Sequence, residues 1–251
     1  MFKHTLSLVI IIKNAEKLLE NTLLSCNDLV DEIIAVDDYS TDSTIDILKK
    51  YNAKIYSHHE MDLGLQRKYA LKKAYGKWIL ILDSDEMLTS EVKKEISEII
   101  KKDLNSIDGY WVPFQTHFLG KPLYHGGETY KKMVFFKKDK VKIKANLVHE
   151  KYEVEEKRAG VLKNKILHFS YENIFFMYKK FHDYALRAGK QKLKDGEKST
   201  LKKIIMYPIH MFYARFVHDK GYKDGLIRIP LDFGFAYMEF VSYLYIYFNQ
   251  K

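Results

Sequence analysis

Cysteine is almost absent from this chain of 251 residues, in which Cys26 is the single example. One cysteine cannot form an internal disulfide, so a disulfide-stabilised scaffold is excluded and a reducing compartment is the simpler interpretation. The apolar spacing around Cys26 is that of a helix, and we expect its thiol to be an inert core group. We also expect no export signal, because the first apolar run, residues 6–12, is too short for a secretory leader.

Two glycine-rich phosphate-binding motifs are missing as well. The sequence has neither the G-x-G-x-x-G of dinucleotide-binding domains nor the G-x-x-x-x-G-K-[ST] of P-loop enzymes. Dinucleotide oxidoreductases and P-loop NTPases are therefore poor fits. A nucleotidyltransferase on a similar sheet is another alternative, but the place of its usual glycine-rich loop reads Ile-Lys-Asn-Ala at residues 12–15.

Positive charge is abundant but uneven. The net charge is +9, and residues 151–251 hold 19 Lys/Arg against 11 Asp/Glu, whereas residues 1–150 hold 23 against 22. A basic half can face nucleic acid, anionic lipid headgroups or a phosphorylated substrate. A nucleic-acid-binding protein is thus an alternative of a different class. Because the excess positive charge lies in residues 151–251 and not beside the predicted strands that end in aspartates, we expect no nucleic-acid partner.

Strand and helix patterns alternate through the first hundred residues. Buried strands are predicted at residues 6–12, 32–36, 54–56 and 78–82, with helices between and after them. One of these helices is predicted from residue 65 to residue 75, ended by Gly76 as a C-cap. The alternation predicts an α/β fold, with a mostly parallel sheet and helices on both faces.

A different pattern begins at Gly109. Short strands are predicted at residues 109–114, 132–136 and 141–144, as a small antiparallel addition with a flexible loop at residues 125–128. A helix at residues 172–192 and a linker at 195–200 follow. We therefore predict a main domain at residues 1–190, with a nucleotide-binding half (1–105) and an acceptor-binding half (106–190), and a basic, aromatic helical tail at 201–251.

Two of the predicted strands end in carboxylates. Asp37 and Asp38 follow one strand, and Asp83 and Asp85 follow another. If the backbone stays extended, Asp83 and Asp85 point to the same side and suit Mg²⁺ or Mn²⁺; the alternative is a solvated acidic turn that caps the next helix. The other pair can accept hydrogen bonds from a base or ribose. The nearby His-His-Glu at residues 58–60 could suggest a metal cluster, but an exposed loop is favoured because adjacent residues of a strand point apart.

The composition of the tail, residues 201–251, is compatible with contact with a membrane. Residues 231–248 approach the length of a membrane span, yet Asp232 and Glu239 lie within them, and a charge near the centre of a span costs ~2.5–3.5 kcal/mol. Aromatic and basic residues together suit the headgroup layer better. The alternative is a helical hairpin packed on the main domain or in a dimer. The basic residues just upstream are Lys202, Lys203, Arg215, Lys220, Lys223 and Arg228.

Taken together, seven short motifs in this order resemble family 2 glycosyltransferases of the GT-A fold. Within that family the chain is most similar to the bacterial lipopolysaccharide or lipooligosaccharide core β-1,4-glucosyltransferase group. The motifs are SLVIIIKN at residues 7–14, VDDYSTD at 36–42, LGLQR at 63–67, LDSDE at 82–86, HGG at 125–127, VHE at 148–150 and HFSY at 168–171.

The resemblance implies a nucleotide pocket beside a metal site. Asp38 would bind the uracil. Asp83 and Asp85 would hold Mg²⁺ or Mn²⁺ with the donor diphosphate, and His168 would lie near that metal. The residues implied to contact the nucleotide or donor are Lys13, Asn14, Asp37, Asp38, Arg67 and Ser84.

The resemblance also assigns the acceptor side. Glu150 would be the catalytic carboxylate. The residues implied to bind the acceptor or to be other polar groups of the active site are His125, His149, Lys131 and Lys132. The group often has Arg in the strand that carries Lys131 and Lys132 here, and Lys cannot form the bidentate fork of Arg.

The function that the resemblance implies is inverting, metal-dependent transfer of a hexose. Glucose from UDP-glucose would pass to a lipid-linked or lipopolysaccharide-core acceptor in cell-envelope glycan synthesis. The alternative is transfer of another UDP-sugar to a different surface glycan, such as a capsule or a glycoprotein. We expect a cytoplasmic enzyme, peripheral on the anionic inner face of the cytoplasmic membrane.

Overall fold

The first hundred residues fold as the alternating pattern predicts. The computed structural model describes residues 5–60, 62–144, 151–171 and 173–250. Strands and helices alternate in this part of the chain, except that β4 is followed by the short β5 before the next helix. They are β1 (Leu6–Ile12), α1 (Leu19–Cys26), β2 (Glu32–Asp37), α2 (Thr44–Lys50), β3 (Lys54–Ser57), α3 (Leu63–Lys73), β4 (Trp78–Ile81), the short β5 (Glu86–Met87) and α4 (Ser90–Lys102).

The remaining strands and helices follow the predicted change of pattern. The strands are β6 (Gly109–Phe118), β7 (Lys121–Pro122), β8 (Thr129–Lys137), β9 (Lys142–Lys144), β10 (Lys151–Glu153), β11 (Ala159–Val161) and β12 (Ile166–Tyr171). The helices are α5 (Ile174–Lys194), α6 (Leu201–Tyr213) and α7 (Arg228–Asn249).

A parallel core organises the sheet. β1 pairs in parallel with β2 on one side and with β4 on the other, and β2 pairs in parallel with β3. The apolar run of β1 is buried, as expected for a strand covered on both faces: Leu8, Val9 and Ile10 are fully inaccessible. The carboxyl ends of these four strands therefore meet at one edge, where open α/β sheets place their ligands.

Antiparallel strands extend this core, as predicted. β4 pairs antiparallel with β8, and β12 pairs antiparallel with β5. Among the described strands the sheet has the order β3-β2-β1-β4-β8-β6-β12-β5, while β9 and β10 form a separate antiparallel ribbon. Trp78 of β4 stacks on Phe135 of β8 with their ring centroids 4.8 Å apart.

The chain divides into two compact units. The first comprises Met1–Phe114 and Lys131–His168, and the second comprises Gln115–Tyr130 and Phe169–Lys251. In the second unit, α7 packs against α5 and α6, and its core contains Phe118, Leu123, Met177, Phe181 and Leu231. Across the described residues, every helix falls short, in length or in apolar character, of what a bilayer crossing requires.

Local side chains set several helix starts. Asp62 accepts hydrogen bonds from the N–H groups of Gly64 and Leu65 and begins α3. Thr89 caps α4 by accepting a hydrogen bond from the Val92 N–H. The prediction that Gly76 caps α3 is wrong, because α3 ends at Lys73 with Ala74 as its C-cap. Gly76 instead lies against Ser7, where an added Cβ would fall 2.3 Å from the Ser7 hydroxyl.

Candidate active site

Polar side chains gather in the first unit where parallel strands end. Lys13 and Asn14 follow β1, Asp38 follows β2, and Asp83 lies just beyond β4. Because β2 and β4 both pair in parallel with β1, their carboxyl ends flank the end of β1. The topology thus brings together residues that are far apart in the sequence, as the sequence analysis expected.

Asp38 is the centre of a small charged group at the end of β2. Its carboxylate accepts a hydrogen bond from Lys13 Nζ at 3.0 Å, and His59 Nδ1 lies 2.6 Å from its other oxygen. Burial alone would raise the pKa of the Asp38 carboxyl, but His59 and Lys13 outweigh burial and hold this pKa below its usual value. Asp38 is therefore an anionic acceptor at the edge of the sheet.

Asp37 and Asn14 accept hydrogen bonds from the loop that follows β2. Asp37 is buried and accepts hydrogen bonds from the backbone N–H and the hydroxyl of Ser40. Asn14, whose φ is 49°, accepts a hydrogen bond from the Thr41 N–H at 2.8 Å. Of the four residues predicted here, these two shape the loop, whereas Lys13 and Asp38 pair directly through their side chains.

A tight turn follows β4 at residues 83–86. The Glu86 N–H donates to the Asp83 carbonyl at 3.1 Å, and the Asp83 N–H donates to Glu86 Oε2 at 2.9 Å. The extended backbone assumed for Asp83 and Asp85 is therefore wrong. Thr22 of α1 fixes the turn from behind by donating its hydroxyl to the Ser84 carbonyl at 2.8 Å.

Cations surround the Asp83 side of this turn. Arg67 Nη2 lies 2.6 Å from Asp83 Oδ1, and Lys132 Nζ lies 3.0 Å from Glu86 Oε1 and 4.0 Å from Asp83 Oδ2. Burial alone would raise the pKa of Asp83, but the charges of Arg67 and Lys132 outweigh it and keep this pKa low. Burial raises the pKa of Glu86 against the opposing charge of Lys132.

The Asp85 side of the turn faces an imidazole. His168 Nε2 of β12 lies 3.6 Å from Asp85 Oδ1. Burial of the ring opposes its charged form, yet the contact with Asp85 prevails and raises the pKa of His168. The structure thus joins the two predicted metal residues of this side, Asp85 and His168. Among the described residues, no group of three or more His, Cys, Asp or Glu side chains is placed to hold a metal ion.

One of the two predicted lysines of β8 lies at this turn. Lys131 is exposed, whereas its neighbour Lys132 is partly buried beside the turn, as alternation along β8 requires. His125 belongs to the second unit, where its Nδ1 lies 2.8 Å from Asp224. His149 and Glu150 lie outside the described residues.

Three contacts of this site were not predicted. They come from His59, from the buried Glu86, and from Tyr152, whose hydroxyl lies 3.4 Å from Arg67 Nη1. His59 could have been found, because it follows β3, which neighbours β2 in the predicted sheet. As predicted, His58 and His59 point apart: His58 stacks on Tyr69 at 4.1 Å.

Comparison with known proteins identifies the family. The sequence profile described as "Glycosyl transferase family 2" matches residues 7–183, and the chain belongs to this family. The predicted enzyme class, a glycosyltransferase, is confirmed at that level. The finer likeness to lipopolysaccharide-core enzymes stays a prediction.

Relatives by sequence carry the same family description. The chain is 34% identical over 94 residues to an uncharacterized glycosyltransferase of Rickettsia typhi, covering 38% of this chain and 32% of that protein. It is 30% identical over 120 residues to the SPbeta prophage-derived glycosyltransferase SunS of Bacillus subtilis, covering 46% and 28%. The chain thus spans about a third of the length of the curated relatives that it matches.

A solved structure confirms the predicted GT-A fold. The chain is similar to residues 1–349 of TarS from S. aureus, solved in complex with UDP-GlcNAc, with a TM-score of 0.51. The likeness covers 88% of this chain and 76% of the TarS fragment, at 18% sequence identity. At this identity the comparison shows a shared fold and no more.

Proposed function

We propose that this chain transfers a hexose from a UDP-sugar to a hydroxyl group of a lipid-linked or lipopolysaccharide-core acceptor, with inversion at the anomeric carbon. The observation that carries the proposal is the juxtaposition of the Asp38 group with the Asp83–Asp85 turn in the first unit. The two strand ends are separated by β1 alone, a distance of about 10 Å. A nucleoside diphosphate can span that distance, with its base or ribose at Asp38 and its phosphates at the turn.

The donor set at the turn fits a hard divalent cation, Mg²⁺ or Mn²⁺. Asp83 and Asp85 offer carboxylate oxygens, which such cations prefer, and the donor phosphates and water can complete the coordination. We assign the two carboxylates to the cation, with His168 orienting Asp85. When bound, the cation would neutralise charge that develops on the leaving diphosphate. Arg67 and Lys132 add positive charge at the same turn and would orient the phosphates.

The acceptor hydroxyl needs a base, and we assign that role to Glu150. The assignment is supported by the VHE motif at residues 148–150 and by the family to which the chain belongs. A carboxylate at that place would take the proton as the hydroxyl attacks the anomeric carbon. Glu150→Gln is expected to keep UDP binding but to lose transfer by about 10²–10⁴-fold. A variant with near-full transfer would remove Glu150 from this role.

The charge of the chain supports an anionic acceptor at a membrane. Residues 151–251 carry the excess of Lys and Arg, which would draw the enzyme to a surface of anionic lipid. We therefore place the enzyme on the cytoplasmic face of the cytoplasmic membrane. Glucose is the first candidate for the sugar. A different UDP-sugar and surface glycan is the alternative that a donor screen can separate.

The test is a donor screen with the full chain. UDP- and GDP-sugars, including UDP-glucose and UDP-GlcNAc, are incubated with a lipid-linked glycan extract, and release of nucleoside diphosphate is measured. A UDP-sugar is expected to give release that EDTA stops and Mg²⁺ or Mn²⁺ restores. If every sugar gives the same low release with the wild-type chain and with Asp85→Asn, the proposed activity is wrong.

A further inference from the structure

The helix α6 in the second unit leaves most of its apolar side chains uncovered. Within α6, all of whose residues the structure describes, Ile204 alone is buried. Exposed apolar residues recur at intervals of four along the helix. These are Leu201 (64% exposed), Ile205 (60%), Ile209 (57%) and Tyr213 (56%), with Met206 (49%) beside them. Residues four apart lie one above the other on a helix, so these side chains form one continuous exposed face.

The apolar surface continues from α6 onto α7. Phe212 of α6 packs against Phe233 of α7 with their ring centroids 4.6 Å apart. Phe233 is itself 54% exposed, and Phe240 lies two turns further along the same helix with 40% exposed. The two helices therefore present a shared apolar surface, larger than the scattered single residues that are ordinary on soluble proteins.

The charges on α6 are all of one sign. Its sequence, LKKIIMYPIHMFY, contains Lys202 and Lys203 and has no Asp or Glu. Lys202 lies between Leu201 and Ile205 and is exposed with them, and Lys198 is exposed just before the helix. Exposed apolar residues combined with exposed lysines, on a helix without acidic residues, are the pattern of helices that lie in a membrane interface.

We infer that α6 docks flat into the headgroup layer of an anionic bilayer, with Leu201, Ile205 and Ile209 inserted. The inference rests on the proposed function in that a lipid-linked acceptor gives the docking a purpose. A second copy of this chain is the competing occupant. The placement of Lys202 argues against it, because Lys is depleted from protein interfaces, whereas in a headgroup layer its ammonium can contact lipid phosphates.

The test is flotation of the full chain with lipid vesicles. Vesicles of phosphatidylglycerol and phosphatidylcholine are compared with vesicles of phosphatidylcholine alone, each at low and high salt. The wild-type chain is expected to float with the anionic vesicles, and less so at high salt. The variant I205E/I209E is expected to bind them about tenfold more weakly or worse.

A matched control separates docking from charge. L24E/L104E introduces the same two negative charges at exposed leucines of the first unit, which are 64% and 52% accessible, and it is expected to float as the wild-type chain does. A second test variant, K198Q/K202Q, leaves the apolar face intact and is expected to lose the salt-dependent part of binding. Thermal melting shows whether each variant folds.

Each outcome decides the inference. Flotation of I205E/I209E equal to that of the wild type, or no flotation of the wild type, overturns it. A wild-type dimer in gel filtration that I205E/I209E converts to a monomer assigns the face to a second copy instead. Flotation that follows the variants as expected, in a protein that turns over no nucleotide-sugar, would keep the docking surface and reject the proposed enzyme.

Discussion

Each unit of this protein contains a cluster of opposite charges, and the two clusters differ in exposure. In the first unit, Arg67 meets Asp83 at the end of β4, and the Asp83 side chain remains 36% exposed. In the second unit, Arg228 meets Asp232 within α7, and both side chains are inaccessible. The residue types are the same. Carboxylate oxygens that solvent reaches can bind a ligand, whereas sealed ones can only hold the protein together.

The buried charge cluster of the second unit, which we call the sealed cluster, contains Arg215, Arg228, Asp232 and Glu128. It fixes a loop, residues 125–128, that the sequence analysis expected to be flexible. Arg228 Nη2 donates to the Gly126 carbonyl at 2.7 Å, and Arg215, which also pairs with Glu128, contacts Asp232 at 3.1 Å. Gly126 has a φ of 65°, and a Cβ there would lie 2.1 Å from the Arg228 guanidinium. Both arginines are among the basic residues for which the sequence analysis left open contact with lipid headgroups or packing within the protein. For these two residues packing is observed, because their side chains pair with Glu128 and Asp232 inside the second unit.

Removing one charge from the sealed cluster should give the largest effect. Asp232→Asn keeps the shape of the side chain but leaves Arg215 and Arg228 short of negative charge. We expect the free energy of unfolding to fall by about 3–5 kcal/mol, as is typical when one member of a buried ion pair is lost. Urea unfolding of the full chain, followed by circular dichroism, measures this change.

Glu239→Gln is the matched control on the same helix. Glu239 pairs with Lys192 at 2.9 Å, and both side chains are partly exposed. Its amide variant is expected to change the free energy of unfolding by less than about 1 kcal/mol. Equal losses for the two variants would show that burial does not distinguish the pairs.

The more exposed charge cluster of the first unit, at the turn that carries Asp83 and Asp85, should respond in the opposite sense. A substitution there should lower activity and leave stability unchanged. Asp85→Asn removes one of the two carboxylates that we assign to the cation, and we expect transfer to fall at least about a hundredfold. The free energy of unfolding should change by no more than about 1 kcal/mol, because the side chain is partly exposed. Asp139→Asn, at an exposed aspartate of the same unit, serves as the control and should leave both quantities unchanged. A loss of stability without a loss of transfer would reverse the comparison.

The neighbouring lysines of β8 differ in exposure within a single strand. Lys132 contacts Glu86 and Asp83, whereas Lys131 is exposed. Lys132→Met should weaken UDP binding by about tenfold, the usual effect of losing one charged hydrogen bond. Lys131→Met should leave it unchanged. Isothermal titration with UDP compares the two variants, and equal weakening would mean that only the net charge of the strand matters.

The sheet could be predicted from the sequence because its buried strands are apolar runs, and the location of the site could be predicted because it lies where those strands end. Strands such as Leu6–Ile12 read as continuous apolar runs, and parallel strands bring their carboxyl ends to one edge. Asp38 and Asp83 could therefore be assigned to a common edge without coordinates. Asp83 and Asp85 could be predicted as neighbours beyond β4, but the extended backbone assumed for them was wrong because the chain turns there.

Packing decided which of these side-chain pairs form and how far each is buried, and the sequence alone could not show this. Arg67 lies 16 residues before Asp83, and its contact depends on how α3 sits beside the end of β4. The turn at residues 83–86 depends on Glu86, whose side chain bends back to the Asp83 N–H. Arg228 and Asp232, four apart on a helix, would look the same in sequence as a solvated surface pair. Burial separates these cases, and it arises only once the helices have packed.

The smallest effect concerns the thiol of Cys26, which the sequence analysis expected to be inert. Burial, reinforced by Asp28, raises the pKa of Cys26 from 9.0 to about 12. The folded chain therefore holds this proton more tightly than the unfolded chain, and stability should fall as the pH rises from about 9 toward 12. At pH 8, a thiol-reactive disulfide reagent should modify the folded chain far more slowly than the chain in urea. Equal rates would show that α1 opens and exposes its buried face.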